Sequence, residues 1–148
     1  VIGSAADTWS SAVIIDKGTV SGIRKGYVAV TYAGLAGRVV ETSDSTSKVM
    51  LINDPDLSVS CIDQRSRQEG LVSGTLGNTL VMKYISRDAD IGIGDTIVTS
   101  GLTEAFPKGI LVGEVKELGE EFSGLSRYAV IVPAANLSNL EEVLVIIP

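Results

Sequence analysis

Apolar residues fall in short runs along this chain, and the runs are separated by Gly, Pro, Asn and Asp. In Tyr27–Tyr32 the pattern alternates: Val28, Val30 and Tyr32 share one side, Tyr27, Ala29 and Thr31 the other. A period of two marks a half-buried strand, because successive side chains of an extended backbone point to opposite faces. Further strands are predicted at Ser11–Asp16, Leu35–Glu41, Lys48–Ile52, Ser58–Asp63, Leu71–Thr75, Thr79–Tyr84, Thr96–Thr99, Ile110–Leu118, Tyr128–Val132 and Glu142–Ile147. Turn chemistry sits between them. Lys17-Gly18, Ala33-Gly34 and Leu76-Gly77-Asn78 read as tight turns. Asn53-Asp54-Pro55-Asp56 is the strongest signal, since Asx side chains bond nearby backbone and Pro fixes φ. Gly37, inside a strand, suggests a bulge or tight bend. One helical signal stands out, at Asn136–Glu142, where Ser138 and Glu141 have capping-box spacing and predict a turn or two of helix.

Many short strands with frequent turns and minimal helix predict an all-β protein. At this length two small β-barrel subdomains fit better than one large barrel. The polar stretch Gln64–Gly70 is the natural divide, giving a first barrel over residues 1–66 and a second over 67–148. The C-terminal strand could return to complete the first. An internal echo supports two halves. Ile23–Thr31 followed by Gly34-Leu35 resembles Ile91–Thr99 followed by Gly101-Leu102, and each leads to a Gly-headed strand, Gly37–Glu41 and Gly113–Glu117. The second copy carries an insertion, Thr103–Val112, whose Phe106-Pro107 and Lys108-Gly109 read as turn punctuation. Gly101 and Gly109 are expected to set the corner, and Phe106 either plugs a barrel end or meets a partner.

Composition narrows the function. A net charge of −6 argues against a nucleic-acid or anionic-membrane partner, although Arg65, Arg67, Lys83 and Arg87 leave a local basic face possible. The absence of His removes Ser-His-Asp and Cys-His sites and most zinc sites. The single cysteine, Cys61, lies in an apolar run and reads as a buried thiol. No run is long enough for a transmembrane helix. The chain opens Val-Ile rather than Met and is expected to be a segment of a longer protein.

Candidate chemistry is thin. Ser45-Thr46-Ser47-Lys48 fits the Ser-x-x-Lys pattern of penicillin-binding proteins and β-lactamases, the basis of an alternative reading as a serine hydrolase using Ser45 and Lys48. That pattern needs a helix to bring Lys to Ser, and here Lys48 opens a predicted strand. Gly92-Ile93-Gly94 begins like a dinucleotide fingerprint but precedes a strand. Asp88, Asp90 and Asp95 could hold a weak cation, yet the spacing lacks the features of a calcium loop. Glu114, Glu117, Glu120 and Glu121 could be offered as glycosidase acids, but Trp9 is the one Trp available for stacking on a sugar. No catalytic, cofactor or metal residue is assigned. Val143–Ile147 is apolar on both faces, the mark of a buried strand or a contact surface; a peptidoglycan-binding module is a further alternative.

Seven stretches in order carry a family resemblance: Ile15–Gly18 with Gly22–Gly26, Gly34–Glu41, Asn53–Asp56, Tyr84–Asp95, Ile97–Leu102, Phe106–Val115 and Pro133–Val143. Together they resemble the extracytoplasmic core of the MreC family of bacterial cell shape-determining proteins, over essentially the whole chain. The resemblance implies two β-barrel subdomains preceded by a coiled coil and one membrane-spanning helix. It implies a non-enzymatic, cofactor-free scaffold on the periplasmic side of the cell membrane that forms dimers or filaments. Its implied partners are MreD, RodA, the MreB system and the class B penicillin-binding protein of elongation. Asn136 stands where an Asp is common in the family, and should still cap the short helix.

Overall fold

The computed structural model describes residues 1–4, 11–75, 78–102, 105–121 and 124–148. These form twelve strands and one 3-10 turn: β1 (Gly3–Ser4), β2 (Ala12–Ile15), the 3-10 turn Thr19–Ser21, β3 (Val28–Val30), β4 (Leu35–Thr42), β5 (Ser47–Leu51), β6 (Ser58–Asp63), β7 (Glu69–Gly74), β8 (Leu80–Ser86), β9 (Thr96–Thr99), β10 (Leu111–Glu120), β11 (Ser126–Pro133) and β12 (Leu144–Ile146). The all-β expectation holds. β6 to β11 close into a barrel in the order β10-β11-β8-β7-β6-β9, and the other strands make a six-stranded sheet ordered β1-β2-β5-β4-β3-β12. All ladders are antiparallel.

β6 belongs to the barrel, so the sheets part in the turn between Leu51 and Ser58, upstream of the division expected at residues 66/67. The Asx turn makes the switch. Asp54 is fully buried; its Oδ1 accepts the Asp56 N–H at 2.8 Å and its Oδ2 accepts the Ser11 N–H at 2.7 Å. The polar stretch instead becomes the β6–β7 hairpin, with Arg67 at φ +69°. The C-terminal strand returns to the first sheet, where β12 pairs β3 in the register Leu144↔Val30, Val145↔Ala29 and Ile146↔Val28.

The helix expected at Asn136–Glu142 is absent; residues 134–135 and 139 are bends and 137–138 a turn. Ser138 Oγ donates to Asn136 Oδ1 at 3.0 Å, and the Asn139 N–H reaches the Asn136 carbonyl at 3.3 Å, so these groups close a local turn. Side chains of this type offer backbone an alternative to helix, and the capping box has no helix to cap.

The echo in sequence extends to the hydrogen bonds. The Gly26 N–H donates to the Val39 carbonyl at 2.8 Å, as the Gly94 N–H does to Val115 at 2.8 Å. Val39 N–H returns to Tyr27 at 2.8 Å, and Val115 N–H to Asp95 at 2.9 Å. Gly37 faces Ala29, and Gly113 faces Ile97, with a register slip beside each glycine. A second slip precedes Glu41 and Glu117. The unit β3-β4-β5 is thus repeated as β9-β10-β11, and the bulge expected at Gly37 occurs in both copies.

One continuous apolar cluster runs through both sheets, from Val13, Leu35 and Val49 to Ile97, Val115 and Ile131. Phe106 joins it at 4% exposure, so the connector's aromatic faces inward as a plug. Gly101 and Gly109 hold φ of +71° and +86°, conformations in which a β-branched residue is strained. A Cβ on Gly101 would also lie 2.7 Å from the Lys108 Cβ, whereas Gly109 has open space. Urea unfolding is expected to show Gly101→Val costing about 2–3 kcal/mol and Gly109→Val about 1–2 kcal/mol; equal stability of both variants and the parent would refute the corner role.

Candidate interaction surface

The Ser-x-x-Lys pattern acquires no catalytic geometry. Ser45 lies in an exposed bend, and Lys48 stands on β5 opposite Ile14 and Glu41. Ser47 Oγ is spent on the Lys17 carbonyl at 2.7 Å. The pair therefore spans a turn and a strand, not one face of a helix. Glu114, Glu117 and Glu120 are exposed along β10, and Trp9 lies outside the described residues. Cys61 is fully buried, and that burial pushes its thiol up to about 12, well out of the reactive range.

The aspartates are occupied by an arginine. Arg65 donates to Asp90 through Nη1 at 2.8 Å and Nη2 at 2.9 Å, and to Asp95 through Nε at 3.1 Å and Nη2 at 2.8 Å. Asp95 also accepts the Gly92 N–H at 2.9 Å. This double fork ties the β6–β7 hairpin to the link before β9. It holds both carboxyls below their ordinary range, and the guanidinium above its own. Among the described residues no acidic cluster is arranged to hold a metal. The local basic face loses Arg65 to this clamp.

Sequence reasoning missed the third acid, Asp63. It is fully buried; its Oδ1 accepts the N–H groups of Arg65 at 2.9 Å and Ser66 at 3.3 Å, while no donor meets its Oδ2. Burial, then the adjacent Asp95 carboxyl, raise its pKa above the ordinary 3.8. The linkage has two signs. Asp90 and Asp95 contribute stability that is present above their ordinary range and lost as pH falls through their depressed values. Asp63 does the reverse, weakening the fold as pH rises from 3.8 through its raised value. Asn at this position keeps the acceptor and supplies a permanent donor. Thermal melts should therefore find Asp63→Asn at least as stable as the parent at pH 7, with the decline above pH 4 flattened; a lower Tm with an unchanged pH profile would contradict this.

Several large apolar and aromatic side chains are also exposed. Tyr84 is 74% exposed and has φ +63°, at a bulge where β8 slips against β11 between Met82 and Ile85. A non-glycine residue in the left-handed region carries strain, and such strain concentrates at working surfaces. Lys83 is exposed beside it, and the ring of Tyr128 on β11 lies over Gly119. Tyr32, Ile93 and Leu102 are also exposed, Tyr32 completely. Two of the grooves have apolar linings. One, of about 390 Å³, runs between the sheets and is lined by Tyr27, Val28, Phe106 and Ile146. The other, of about 570 Å³, opens at the unpaired margin of the first sheet, between Ile15–Lys17 and Val143–Val145.

This arrangement of a closed barrel beside a six-stranded sheet has close counterparts. The family model "Rod shape-determining protein MreC, barrel core" matches residues 1–147. The chain belongs to the MreC family. The MreC protein of Listeria monocytogenes is 31% identical over 99% of the chain, which spans about half (51%) of that relative's length. The crystal structure of MreC from Pseudomonas aeruginosa superposes with a TM-score of 0.94 at 31% identity, covering 99% of this chain and 95% of that one. Two more distant MreC structures share the fold. One is the major periplasmic domain of the cell shape-determining filament MreC, at 23% identity and TM-score 0.76, covering 91% of this chain and 84% of that one. The other is a complex between PBP2 and MreC from Helicobacter pylori, at 24% identity and TM-score 0.71, covering 89% of this chain and 81% of that one. The seven stretches that carried the resemblance are mostly turns, which explains how family membership was legible while contact residues were not.

Proposed function

We propose that this chain is a non-enzymatic scaffold of the cell-wall elongation machinery, on the extracytoplasmic face of the membrane, that self-associates and docks a class B penicillin-binding protein. The observation that carries the reading is the match to the MreC barrel core over residues 1–147, on a fold that leaves large apolar and aromatic side chains such as Tyr32, Tyr84, Ile93 and Leu102 exposed. The Helicobacter pylori complex supports a transpeptidase partner, and the filament-forming relative supports self-association. Among the described residues no helix is long and apolar enough to cross a membrane; in this reading the anchor is a separate membrane-spanning segment of the protein. MreD, RodA and the MreB system are the further partners of this reading.

Docking here is binding work. An exposed tyrosine held rigidly on a strand offers large contact area at small entropic cost, which suits it to anchor an interface. Sedimentation velocity of the chain mixed with the ectodomain of its own organism's elongation transpeptidase is expected to show a faster complex. Two independent boundaries at micromolar concentration would overturn the docking role.

A further inference from the structure

A polar cleft of about 300 Å³ lies at one end of the barrel, between the end of β10 and the turn that follows β8. Arg87 and Arg127 line it together with Asp88 and Glu120. Pairing does not account for these charges. Both ion pairs among the described residues belong to Arg65. Arg87, Asp88 and Glu120 are exposed and have no hydrogen-bond partner among the described residues. Arg127 spends Nη1 on the Ala89 carbonyl at 3.1 Å, which leaves its other donors unspent. Cations and carboxylates thus share the cleft without closing on one another.

Tyrosines flank it. Gly119 lines the cleft and is covered by Tyr128; a Cβ on this glycine would overlap Cζ and Oη of the ring. Gly119 pairs Tyr128 across the sheet, and at the bulge Lys83 and Tyr84 together stand opposite Tyr128, between Met82↔Ala129 and Ile85↔Arg127. Met82, Ile85 and Ala129 are buried, Tyr128 is half-buried and Tyr84 is exposed, so both tyrosines occupy the outer face beside the cleft.

The chemistry selects a ligand class. Arginine only donates and a carboxylate only accepts. A hydroxyl does both, so one hydroxyl can bridge an arginine to an acid. A phosphate would satisfy the arginines and be repelled by Asp88 and Glu120, and an amine meets the opposite problem. The four formal charges cancel, so the cleft has no net field to gather an ion. A protein partner is a poor occupant, because interface cores are depleted of charged residues. The tyrosines add apolar ring faces with polar tips. Hydroxyls along an edge and an apolar carbon face are the features of a sugar ring. The cleft sits at the small end of the about 300–1,000 Å³ that ligand pockets occupy, which suits one ring of a longer chain.

We infer that this cleft is a saccharide-binding subsite: Arg87, Arg127, Asp88 and Glu120 hydrogen-bond the hydroxyls of one sugar ring, and Tyr128 and Tyr84 contact the carbon faces of the adjoining rings. Asp88 and Glu120 act here as acceptors, and no bond is broken. The inference goes beyond the scaffold reading and does not rest on it.

The test titrates the chain with the linear tetramer of N-acetylglucosamine and follows backbone amide shifts by NMR. Saturable shifts are expected at Arg87, Gly119, Glu120 and Tyr128, with a Kd of about 1 mM for so open a site. Arg87→Ala and Tyr84→Ala change exposed side chains, so Tm should stay within about 2 °C of the parent. Each should weaken sugar binding about fivefold or more. Tyr84→Phe should bind within about twofold of the parent, because the ring face makes the contact. Absence of saturable shifts at about 10 mM tetramer, or parental affinity in both alanine variants, would overturn the inference. Equal binding of inorganic phosphate or trialanine at the same amides would overturn it too, by showing a general anion or peptide cleft. Transpeptidase capture is scored separately, so docking can fail while sugar binding stands.

Discussion

Gly113→Ala is expected to lower the unfolding free energy by about 3 kcal/mol, and Gly37→Ala by a similar amount. Both glycines lie in extended backbone, so the cost is room, not φ. A Cβ at Gly113 would overlap the Val132 carbonyl and come within 2.8 Å of Ile131 Cγ2. At Gly37 it would overlap the Met50 carbonyl. These obstacles are backbone atoms of the paired strand, which cannot rotate away as a side chain would. β4 must draw away from β5, and β10 from β11, losing ladder bonds in the interior of each sheet. Gly3→Ala is the control: nothing lies within 4 Å of its Cβ position, and its stability should stay within about 0.5 kcal/mol of the parent. The two bulges belong to different sheets, so the double variant should show near-additive losses. Equal urea midpoints for Gly113→Ala and the parent would refute the close approach.

Phe106→Ala is expected to cost about 3–5 kcal/mol, and Phe106→Leu about 1–1.5 kcal/mol. The ring is buried at 4% exposure in the continuous core and borders the groove between the sheets with Tyr27 and Ile146. Truncation would enlarge that groove into the core, removing contacts from both sheets at once. The corner that delivers the ring is held by Thr99, whose Oγ1 donates to the Pro107 carbonyl at 2.6 Å and accepts the Ile110 N–H at 2.8 Å. Hydrogen exchange should rise in β3 and β9 together. A loss confined to the barrel would show that the connector plugs one sheet only.

Much of this was legible because strands of this kind announce themselves locally. Lys48–Ile52 was readable as an apolar run stopped by turn residues, and the structure buries Ser47, Val49 and Leu51 while leaving Lys48 and Met50 half-buried. The turn at Asn53–Asp56 was readable because its chemistry is intrinsic to Asp and Pro. Three features were not. The two-residue β1 is too short to carry a period, and it is defined by its partner β2. The switch of β6 into the barrel depends on which edge is free after β5, a long-range fact that no window of sequence contains. The Asp63–Arg65–Asp95 cluster unites the end of β6 and its hairpin with the link before β9, and Asp88, Asp90 and Asp95 drew notice as acids while Asp63 did not. Ser138 and Glu141 had the right spacing for a cap, but Ser138 found a nearer partner in Asn136. For the interaction surface, an exposed tyrosine such as Tyr84 looks in sequence like any strand aromatic; its exposure follows from the bulge.

The most direct test of the scaffold account is a binding scan against the ectodomain of the elongation transpeptidase from the same organism. Tyr32, Tyr84, Ile93 and Leu102 are each replaced by Ala, and affinity and melting temperature are measured together. The account predicts that at least one substitution weakens capture tenfold or more while Tm stays within about 2 °C of the parent, consistent with a surface change worth little to stability. Capture at parental affinity by all four variants, or no capture by the parent chain, would contradict it.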